Sequence, residues 1–251
     1  MATTKIATAD ATSVTIRGKD LVGDLIGKVS FTELTYFLTT GRMPDAAQTR
    51  VLDACLVTLA EHGFTPGALV TRLLADSVPG QVQVAIAGGL MTVGEVFAGT
   101  MEGCAALLEA GVAEGGDPSD YCKRVVAEHR AVKKPVPGFG HGFHKPDDPR
   151  TEPLLTLAED CGVAGKYIGM LRVLATEVDA QAGRHITINA TGAIGALLLE
   201  IGVPANIARG MAVVSRSAGL LGHIIEESET RSAREIARLT KEAIPYRSDD
   251  Q

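Results

Sequence analysis

A succession of helix signals along the chain is the feature that most constrains its fold. Ser30 and Glu33 have the spacing of a capping box, and Gly41 follows as a stop signal. Asp45 can cap the next helix, which carries apolar residues at helical spacing. Alternation typical of a strand occurs in SVTIRGKDL, residues 13–21. Further helices are predicted near residues 65–77, 80–113, 117–130, 151–160, 165–181, 190–201 and 205–227. The sequence therefore predicts an all-α fold with a short N-terminal β element.

Composition excludes several classes of function. The 251 residues can bury a large core, and the net charge of -6 offers no general basic surface to nucleic acid. Tryptophan is absent and aromatic residues make up 4%, which disfavours base stacking. We find neither a signal-peptide core nor an apolar run of about 18 residues, so we expect a cytoplasmic protein that does not bind a membrane.

The cysteines predict no metal site. They form no CxxC motif and have no histidine at ligand spacing. We interpret them as reduced, mostly buried thiols, and they are Cys55, Cys104, Cys122 and Cys161.

Glycine punctuates the helical segment at residues 80–113. Each glycine inside a helix costs about 1 kcal/mol relative to alanine. The glycines concerned are Gly88, Gly89, Gly94, Gly99 and Gly103. Their cost is understandable if helices or a ligand approach the backbone closely there.

The stretch VPGFGHGFHKPDDPR, residues 136–150, predicts a stiff loop with binding chemistry. Gly138, Gly140 and Gly142 remove side chains around His141, so a ligand can lie against the backbone. The prolines stiffen the loop, and Asp-Pro-Arg before a helix start fixes the direction of Arg150. The alternative is a surface loop with an incidental histidine.

This loop resembles the histidine loop of the citrate synthase superfamily, GFGHR-x-x-K-x-x-DPR, with the same spacing from His141 to Arg150. Five more stretches resemble the family in order, so the resemblance covers nearly the whole chain. They are DLVGDLIGKVSFTELTYFLTTGRMP (N-terminal segment), EHG (Asp-His motif), GLMTVGEVFAGTMEG (glycine-rich junction), INATGAIGALLLEIGVP (Asn-Val-Asp helix) and SRSAGLLGHIIEE (arginine helix). The members most closely resembled are citryl-CoA lyases and the citrate-synthase-like module of ATP-citrate lyase.

The resemblance implies a two-lobed helical homodimer with the active site in the cleft. Residues 1–97 and 205–251 would form the large lobe and residues 98–204 the small lobe, with residues 80–101 and 205–225 near the dimer interface. The family forms or splits a C–C bond between an acyl-CoA enolate and an α-keto acid such as oxaloacetate. The expected ligands are a small polycarboxylate and a coenzyme A thioester as substrate, with no tightly bound cofactor.

The resemblance also assigns roles to individual residues. Three arginines would hold substrate carboxylates, which arginine does bidentately: Arg150, Arg216 and Arg247. His62 would touch the keto acid, and His141 would donate to its carbonyl oxygen. Four residues would lie along coenzyme A, namely Lys134, Pro137, Gly138 and Gly140. Taken alone, each arginine is better interpreted as a solvated surface charge, and it is the three matching positions together that favour a polycarboxylate site.

The enolate half of the site departs from the family. Thr191 stands where the family has the aspartate of Asn-Val-Asp, and a threonine is no carboxylate base near neutral pH. A small shift in the alignment would place Asn189 there instead. Phe97 and Leu69 stand where citrate synthases and citryl-CoA lyases, respectively, carry a histidine. Candidate replacements, none supported by a motif, are Glu95, His144, His185, Glu226 and Glu227.

Three hypotheses follow from a site whose keto-acid half resembles the family and whose enolate half departs from it. The first is a citryl-CoA-lyase-like or citrate-synthase-like enzyme with an atypical enolate half-site, in which His141 or His62 takes the proton of the substrate hydroxyl. The second is a non-catalytic regulatory subunit that binds a polycarboxylate and CoA. The third is a helical scaffold without a ligand.

Overall fold

The computed structural model describes residues 2–95 and 99–248. An antiparallel sheet of order β1-β2-β3 begins the chain, with Ala7 opposite Ile16 and Thr15 opposite Asp20. Its strands are β1 Ala7–Ala9, β2 Val14–Ile16 and β3 Lys19–Asp20, followed by a π-helical turn at Leu21–Leu25.

Helices make up most of the remaining chain. In chain order they are α1 Phe31–Thr40, α2 Ala46–Ala60, α3 Pro66–Ser77, α4 Val82–Leu90, α5 Gly99–Glu114, α6 Pro118–Ala131, α7 Thr151–Asp160, α8 Lys166–Ala182, α9 Ala190–Glu200, α10 Ala208–Thr230 and α11 Ser232–Ala243, with a 3-10 turn at Ala205–Ile207 before α10. The predicted all-α fold with a short N-terminal β element is confirmed.

The helix boundaries follow local capping chemistry. Ser30 accepts the amide of Glu33 at 3.1 Å while Glu33 accepts that of Ser30 at 2.6 Å, so the predicted capping box is present. Gly41 ends α1 at φ 80°, a conformation that glycine adopts without strain. Asp45 caps α2 by accepting the amide of Gln48 at 2.8 Å.

Two helical regions differ from expectation. The segment predicted as helical over 80–113 is α4 and α5, with turns at residues 91–95 between them. Helix α11 was not predicted, although Ala233, Ile236 and Ala237 have the spacing of an apolar helix face. Its own signal is the charge spacing of Glu235, Arg238 and Glu242, which form ion pairs along one helix face.

The chain divides into two compact units, each described here by itself. The first comprises Met1–Cys55 with Met101–Ala208. Helix α9 forms its centre, since nearly every residue of α9 is buried, and it packs against α7 and α8. The second unit comprises Leu56–Thr100 with Arg209–Gln251, and its α3 packs against α4 and α11.

Close packing explains two of the helical glycines. A Cβ on Gly89 would lie 2.9 Å from the carbonyl oxygen of Gly67 and 2.7 Å from Leu220. A Cβ on Gly88 would collide with Leu74. The absence of side chains at these glycines therefore permits close contact between α4 and α3, as the sequence indicated.

The cysteines are free thiols, three of them buried, as expected. Burial raises the pKa of Cys55 and of Cys104 to about 12, so neither is a ready nucleophile. Within residues 2–95 and 99–248, no helix combines the length and apolar character needed to cross a membrane. The lobe boundaries at 97/98 and 204/205 stay a prediction, and residues 97 and 98 lie outside the described residues.

Candidate active site

Each unit carries part of the predicted site. The first unit holds His141, Arg150, Thr191, Asn189, Lys134, Pro137, Gly138 and Gly140. The second holds His62, Arg216 and Arg247. The roles assigned to these residues stay predictions.

The histidine loop is anchored to the segment that precedes α9. Phe139 forms an antiparallel bridge with Ile188. The amide of Gly140 donates to the carbonyl oxygen of Thr187 at 2.8 Å, and that of Asn189 donates to the carbonyl oxygen of Gly138 at 3.0 Å. This short pairing fixes the backbone immediately before His141.

Gly138 is required for packing as well as for loop shape. Its φ is 88°, and a Cβ there would lie 2.7 Å from the Cys104 sulfur and 2.9 Å from Gly192 Cα. Gly140 also has a positive φ, of 77°, but a Cβ there would meet only Ile186 at 3.8 Å. No atom would lie within 4 Å of a Cβ on Gly142. Open backbone around His141 is thus provided by Gly140 and Gly142, whereas Gly138 is buried.

Two backbone amides determine the tautomer of His141. Its Nδ1 accepts from the amide of His144 at 2.9 Å and from that of Phe143 at 3.1 Å. The neutral ring therefore carries its proton on Nε2. Burial, and next the neighbouring His144, lower the pKa of His141. His141 is accordingly a neutral ring that presents a hydrogen-bond donor.

His144 is the imidazole beside it. The ring centroids of His141 and His144 are 4.4 Å apart, with the planes tilted by 32°. Phe143 contacts His144 edge-on at 5.4 Å and is itself 83% exposed. The loop thus places two histidines and one open aromatic ring together.

Asp148 orients Arg150. The side chain of Asp148 is fully buried, and its oxygens accept from Arg150 Nε at 2.9 Å and Nη2 at 2.8 Å. Asp148 also accepts the amide of Ala190 at 2.9 Å. Burial opposes ionisation, but the bonds from Arg150 and Ala190 outweigh it and hold the pKa of Asp148 far below its usual range.

No role was predicted for Asp148 itself. A signal was available, because an acidic residue two positions before an arginine, across a rigid proline, suits a local ion pair. Arg150 is 27% exposed, and Nη1 is not part of the pair. The guanidinium can therefore present one edge to a ligand in a direction that Asp148 sets.

Asn189 and Thr191 form the start of α9. Asn189 Oδ1 accepts the amide of Gly192 at 3.0 Å and the hydroxyl of Thr191 at 2.6 Å. Asn189 Nδ2 donates to the carbonyl oxygen of Gly140 at 2.8 Å. Asn189 is thus a helix cap that also holds the histidine loop, while Thr191 lies half-buried in the first helical turn.

Lys134 and Pro137 flank the buried part of the loop. Lys134 is exposed just beyond α6, and its amide donates to the carbonyl oxygen of His129 at 2.9 Å. Pro137 is half-buried, and a Cβ on Gly103 would lie 3.1 Å from its own Cβ. Gly103 therefore lets α5 approach the loop closely.

In the second unit, His62 lies in a turn just after α2. It is exposed, and its amide donates to Glu61 Oε1 at 2.8 Å. Arg216 is half-buried on α10, where buried Leu220 shares its face. Arg247 is exposed beyond the end of α11.

Most candidates for the missing base are engaged in other contacts or exposed. Glu226 and Glu227 both pair with Arg72. His185 lies between Asp179 and Asp147, which are 2.7 and 2.9 Å from its ring nitrogens. Glu95 is exposed in a turn. Of the two positions where the family carries a histidine, Leu69 lies within α3 and Phe97 lies outside the described residues.

Comparison with known proteins places the chain among citrate-synthase-like proteins. A family model described as the citrate synthase C-terminal domain matches residues 44–240. A citrate synthase of Acidithiobacillus ferridurans is 29% identical over 198 residues, which are 76% of this chain and 50% of that protein. The chain thus spans about half the length of the curated relatives it matches.

Two solved structures are similar over most of the chain. Citryl-CoA lyase from Hydrogenobacter thermophilus has a TM-score of 0.84 and 30% identity, covering 92% of this chain and 88% of that one. ATP citrate lyase from Methanosaeta concilii, in complex with (3S)-citryl-CoA, has a TM-score of 0.80 and 19% identity over 99% of this chain and 42% of that one. The second likeness shows the fold alone.

Proposed function

Because the chain belongs to the citrate synthase family, we propose that it is a citryl-CoA-lyase-like enzyme. It would cleave a citryl-CoA-type thioester into an acyl-CoA and an α-keto acid such as oxaloacetate. The match to a citryl-CoA lyase along 88% of that chain's length supports cleavage over synthesis. We also propose that coenzyme A enters as part of the substrate and that no cofactor is tightly bound.

The observation that carries this proposal is the fixed tautomer of His141. With Nδ1 occupied by the amides of Phe143 and His144, the neutral ring donates from Nε2. A donor at this position stabilises the oxygen of the substrate as alkoxide becomes carbonyl. His141 then acts as the donor to that oxygen and not as the base, which narrows the earlier choice between His141 and His62.

The arginines would hold the carboxylates of the substrate. Arg150 is preoriented by Asp148, so its open edge can bind a carboxylate with little loss of side-chain freedom. Arg216 and Arg247 would complete the polycarboxylate site. Lys134 and the Pro137–Gly140 segment would lie along coenzyme A.

The proton balance of the cleavage assigns the remaining roles. The tertiary hydroxyl of the substrate loses its proton to a base, for which His62 and His144 are the candidates. The C–C bond breaks, the keto acid forms, and the departing enolate takes a proton at carbon from water. The protonated base then gives its proton to the hydroxide that remains, so the enzyme returns to its starting state. Thr191 would act near the acyl group as a hydrogen-bond acceptor, since its only hydroxyl proton is donated to Asn189 Oδ1 at 2.6 Å.

One observation favours the second hypothesis, a non-catalytic regulatory subunit that binds the same ligands. The resemblance aligns Thr191 with the family aspartate, and on that alignment the carboxylate that removes the acyl α-proton would be absent. A well-placed general base contributes about 10²- to 10⁴-fold. We therefore expect negligible synthesis of citrate from acetyl-CoA and oxaloacetate even where cleavage proceeds.

Turnover of (3S)-citryl-CoA by the purified protein tests the proposal. We expect oxaloacetate and acetyl-CoA as products, identified by mass spectrometry, and a loss of about 10²-fold or more in kcat for His141→Phe. A protein that is thermally stabilised by citrate and CoA but leaves citryl-CoA intact would support the regulatory subunit instead. Absence of both turnover and thermal stabilisation would support the third hypothesis, a helical scaffold without a ligand.

Solvent deuterium exchange probes the enolate half separately. Wild-type protein should exchange the methyl protons of acetyl-CoA slowly when a keto-acid analogue is bound, and Thr191→Asp should accelerate exchange. The start of α9 favours an added negative charge at this position. Rapid wild-type exchange would mean that another residue removes the proton, and His144 would be the first to substitute because it lies beside His141.

We further propose a cytoplasmic homodimer that uses the predicted segments 80–101 and 205–225. Within the described part of these segments, several apolar side chains are exposed: Val82, Val84, Met91, Ile207, Val214, Leu221 and Ile225. Residues 96–98 lie outside the described residues. Sedimentation should show a dimer at micromolar concentration that Leu221→Glu dissociates. A stable wild-type monomer would contradict this.

A further inference from the structure

The turn that carries His62 is closed by the Glu61 carboxylate. Glu61 Oε1 accepts the amides of His62 at 2.8 Å and Gly63 at 2.6 Å. The same oxygen contacts His223 Nε2 at 3.1 Å. Burial opposes ionisation of Glu61, but His223 and the amide of His62 outweigh it and lower its pKa, so the carboxylate stays charged.

Helix α10 presses directly on this turn. A Cβ on Gly219 would clash with the carbonyl oxygen of Ala60 and would lie 2.6 Å from Glu61 Oε2. Ser215 donates to the carbonyl oxygen of Leu56 near the end of α2. These contacts with α10 hold the chain at Glu61 in place independently of His223.

Arg72 determines which nitrogen of His223 carries the proton. Arg72 Nε donates to His223 Nδ1 at 2.9 Å, and a guanidinium has only donors to offer. His223 Nδ1 must therefore accept, so the neutral ring holds its proton on Nε2 and donates it to Glu61. His223 is a one-directional relay between the arginine and the carboxylate.

Arg72 itself is immobilised on every side. It is 2% exposed although charged. Nη1 donates to Glu227 Oε2 at 3.1 Å and to Ser232 Oγ at 3.0 Å, and Nη2 pairs with Glu226. A buried charge with this many partners has a single orientation.

Phe64 gives Arg72 a second hold on the turn. The Arg72 guanidinium lies over the Phe64 ring, with Cζ 5.0 Å from the ring centroid. Phe64 follows Gly63, so Arg72 contacts the turn of residues 61–64 at both ends. At one end the contact runs through His223 to Glu61, and at the other Arg72 lies on the face of the Phe64 ring.

We propose that Arg72 and His223 are positioning residues that hold His62 in place through Glu61. They act by fixing the backbone from which His62 projects, not by contact with the substrate. The inference rests on the proposed role of His62 at the keto acid. It assigns a task to a buried ion-pair cluster that the proposed function leaves unused.

His223 variants test the relay. His223→Leu removes both contacts, whereas His223→Gln keeps one acceptor for Arg72 and one donor for Glu61. Arg234→Gln is the matched control, because it breaks an exposed pair with Asp76 that also links α11 to α3. All variants are made in the full chain.

Amide hydrogen exchange of His62 and Gly63, followed by NMR, is the direct readout. We expect His223→Leu to accelerate it about tenfold or more relative to core amides of α9, and His223→Gln to restore most of the protection. Arg234→Gln should leave it within about twofold. Unchanged exchange in His223→Leu, or equal acceleration throughout the protein, would overturn the proposal.

Kinetics with (3S)-citryl-CoA separate this inference from the proposed function. If the wild type cleaves the substrate, we expect kcat to fall about tenfold in His223→Leu with little change in KM, and to recover in His223→Gln. Wild-type kinetics in a leucine variant whose turn has loosened would overturn the positioning role. A wild type without turnover removes the proposed function, and the exchange experiment still decides whether the relay holds the turn.

Discussion

The histidine loop and the His62 turn are each held by a carboxylate linked to an arginine, but the buried partner is the carboxylate in the loop and the arginine in the turn. In each, a carboxylate accepts backbone amides and is tied to an arginine. Asp148 has a fully buried carboxylate and its partner Arg150 is 27% exposed. In the other turn, Arg72 is 2% exposed and the Glu61 carboxylate, reached through His223, is 43% exposed.

The difference shows which arginine is available to a ligand. Arg150 keeps an edge outside its ion pair and can gain a further carboxylate partner. Arg72 is enclosed by Glu226, Glu227 and Ser232, so its guanidinium is already occupied by partners within the protein. An arginine near a predicted site is therefore interpretable only once the burial of both partners is known.

Arg72→Ala should have the largest effect on folding. It leaves the carboxylate of Glu227, which is 3% exposed, without its cation, and loss of one partner of a buried pair costs about 3–5 kcal/mol. Urea unfolding should show this loss. Arg234→Gln, which disrupts an exposed pair in the same unit, should cost less than about 1 kcal/mol. Equal midpoints for the two variants would contradict the comparison.

Asp148→Ala should destabilise the other unit by less. Arg150 is open enough to turn toward water, but the amide of Ala190 loses a charged acceptor at 2.9 Å. We expect a loss of about 1.5–3 kcal/mol in the free energy of unfolding. Asp147→Ala, an exposed neighbour in the same loop, is the control and should change it by less than about 1 kcal/mol. A larger loss at Asp147 would refute the assignment of Asp148 as the loop anchor.

Arg150→Ala and Arg216→Ala should each weaken citrate or oxaloacetate binding by about 1.5–3 kcal/mol, the value of a charge-assisted contact. Calorimetry measures this directly. Arg150→Ala also removes the cation from buried Asp148, so we expect some loss of folding stability that Arg216→Ala need not share. Arg150→Lys keeps the charge and should restore part of the binding. Wild-type affinity in either alanine variant would remove that arginine from the site.

His185 should have the smallest effect, and only at acid pH. Hydrogen bonds to Asp179 and Asp147 raise its pKa above the ordinary value. A base whose pKa is raised by folding stabilises the fold below its unfolded pKa, and this contribution disappears as pH rises through the raised value. His185→Gln should therefore cost about 0.2–1 kcal/mol in mildly acidic buffer and almost nothing in alkaline buffer. A pH-independent difference in unfolding would contradict this.

Much of the fold was predictable because its signals are local. The capping box at Ser30 and Glu33 and the short pairing of β2 with β3 involve residues close in sequence, whose geometry is decided by near neighbours. Helix α11 was missed although its apolar residues have helical spacing, so a local signal was available there as well. The histidine loop was also recognisable, since proline restricts the backbone and glycine allows conformations that other residues rarely adopt.

The residues that support the site were harder to predict. Arg72 carried one faint signal, a charge on the apolar face of α3 beside Ala68 and Thr71. Nothing in the sequence indicated that its partners would be His223 and Glu227, which are 151 and 155 residues away. Which polar groups meet in a core depends on how helices pack, and helical spacing alone leaves that open.

The sequence by itself determined the helical fold, its caps, the stiff loop around His141 and the direction in which Asp-Pro-Arg sends Arg150. Steric limits and hydrogen bonds between near neighbours are sufficient for each of these. Tertiary structure decided the tautomers of His141 and His223, the burial of Asp148 and the grip of Arg72 on the His62 turn. These properties arise when distant segments exclude water together, because a polar group must then satisfy its hydrogen bonds with whatever the packing brings to it.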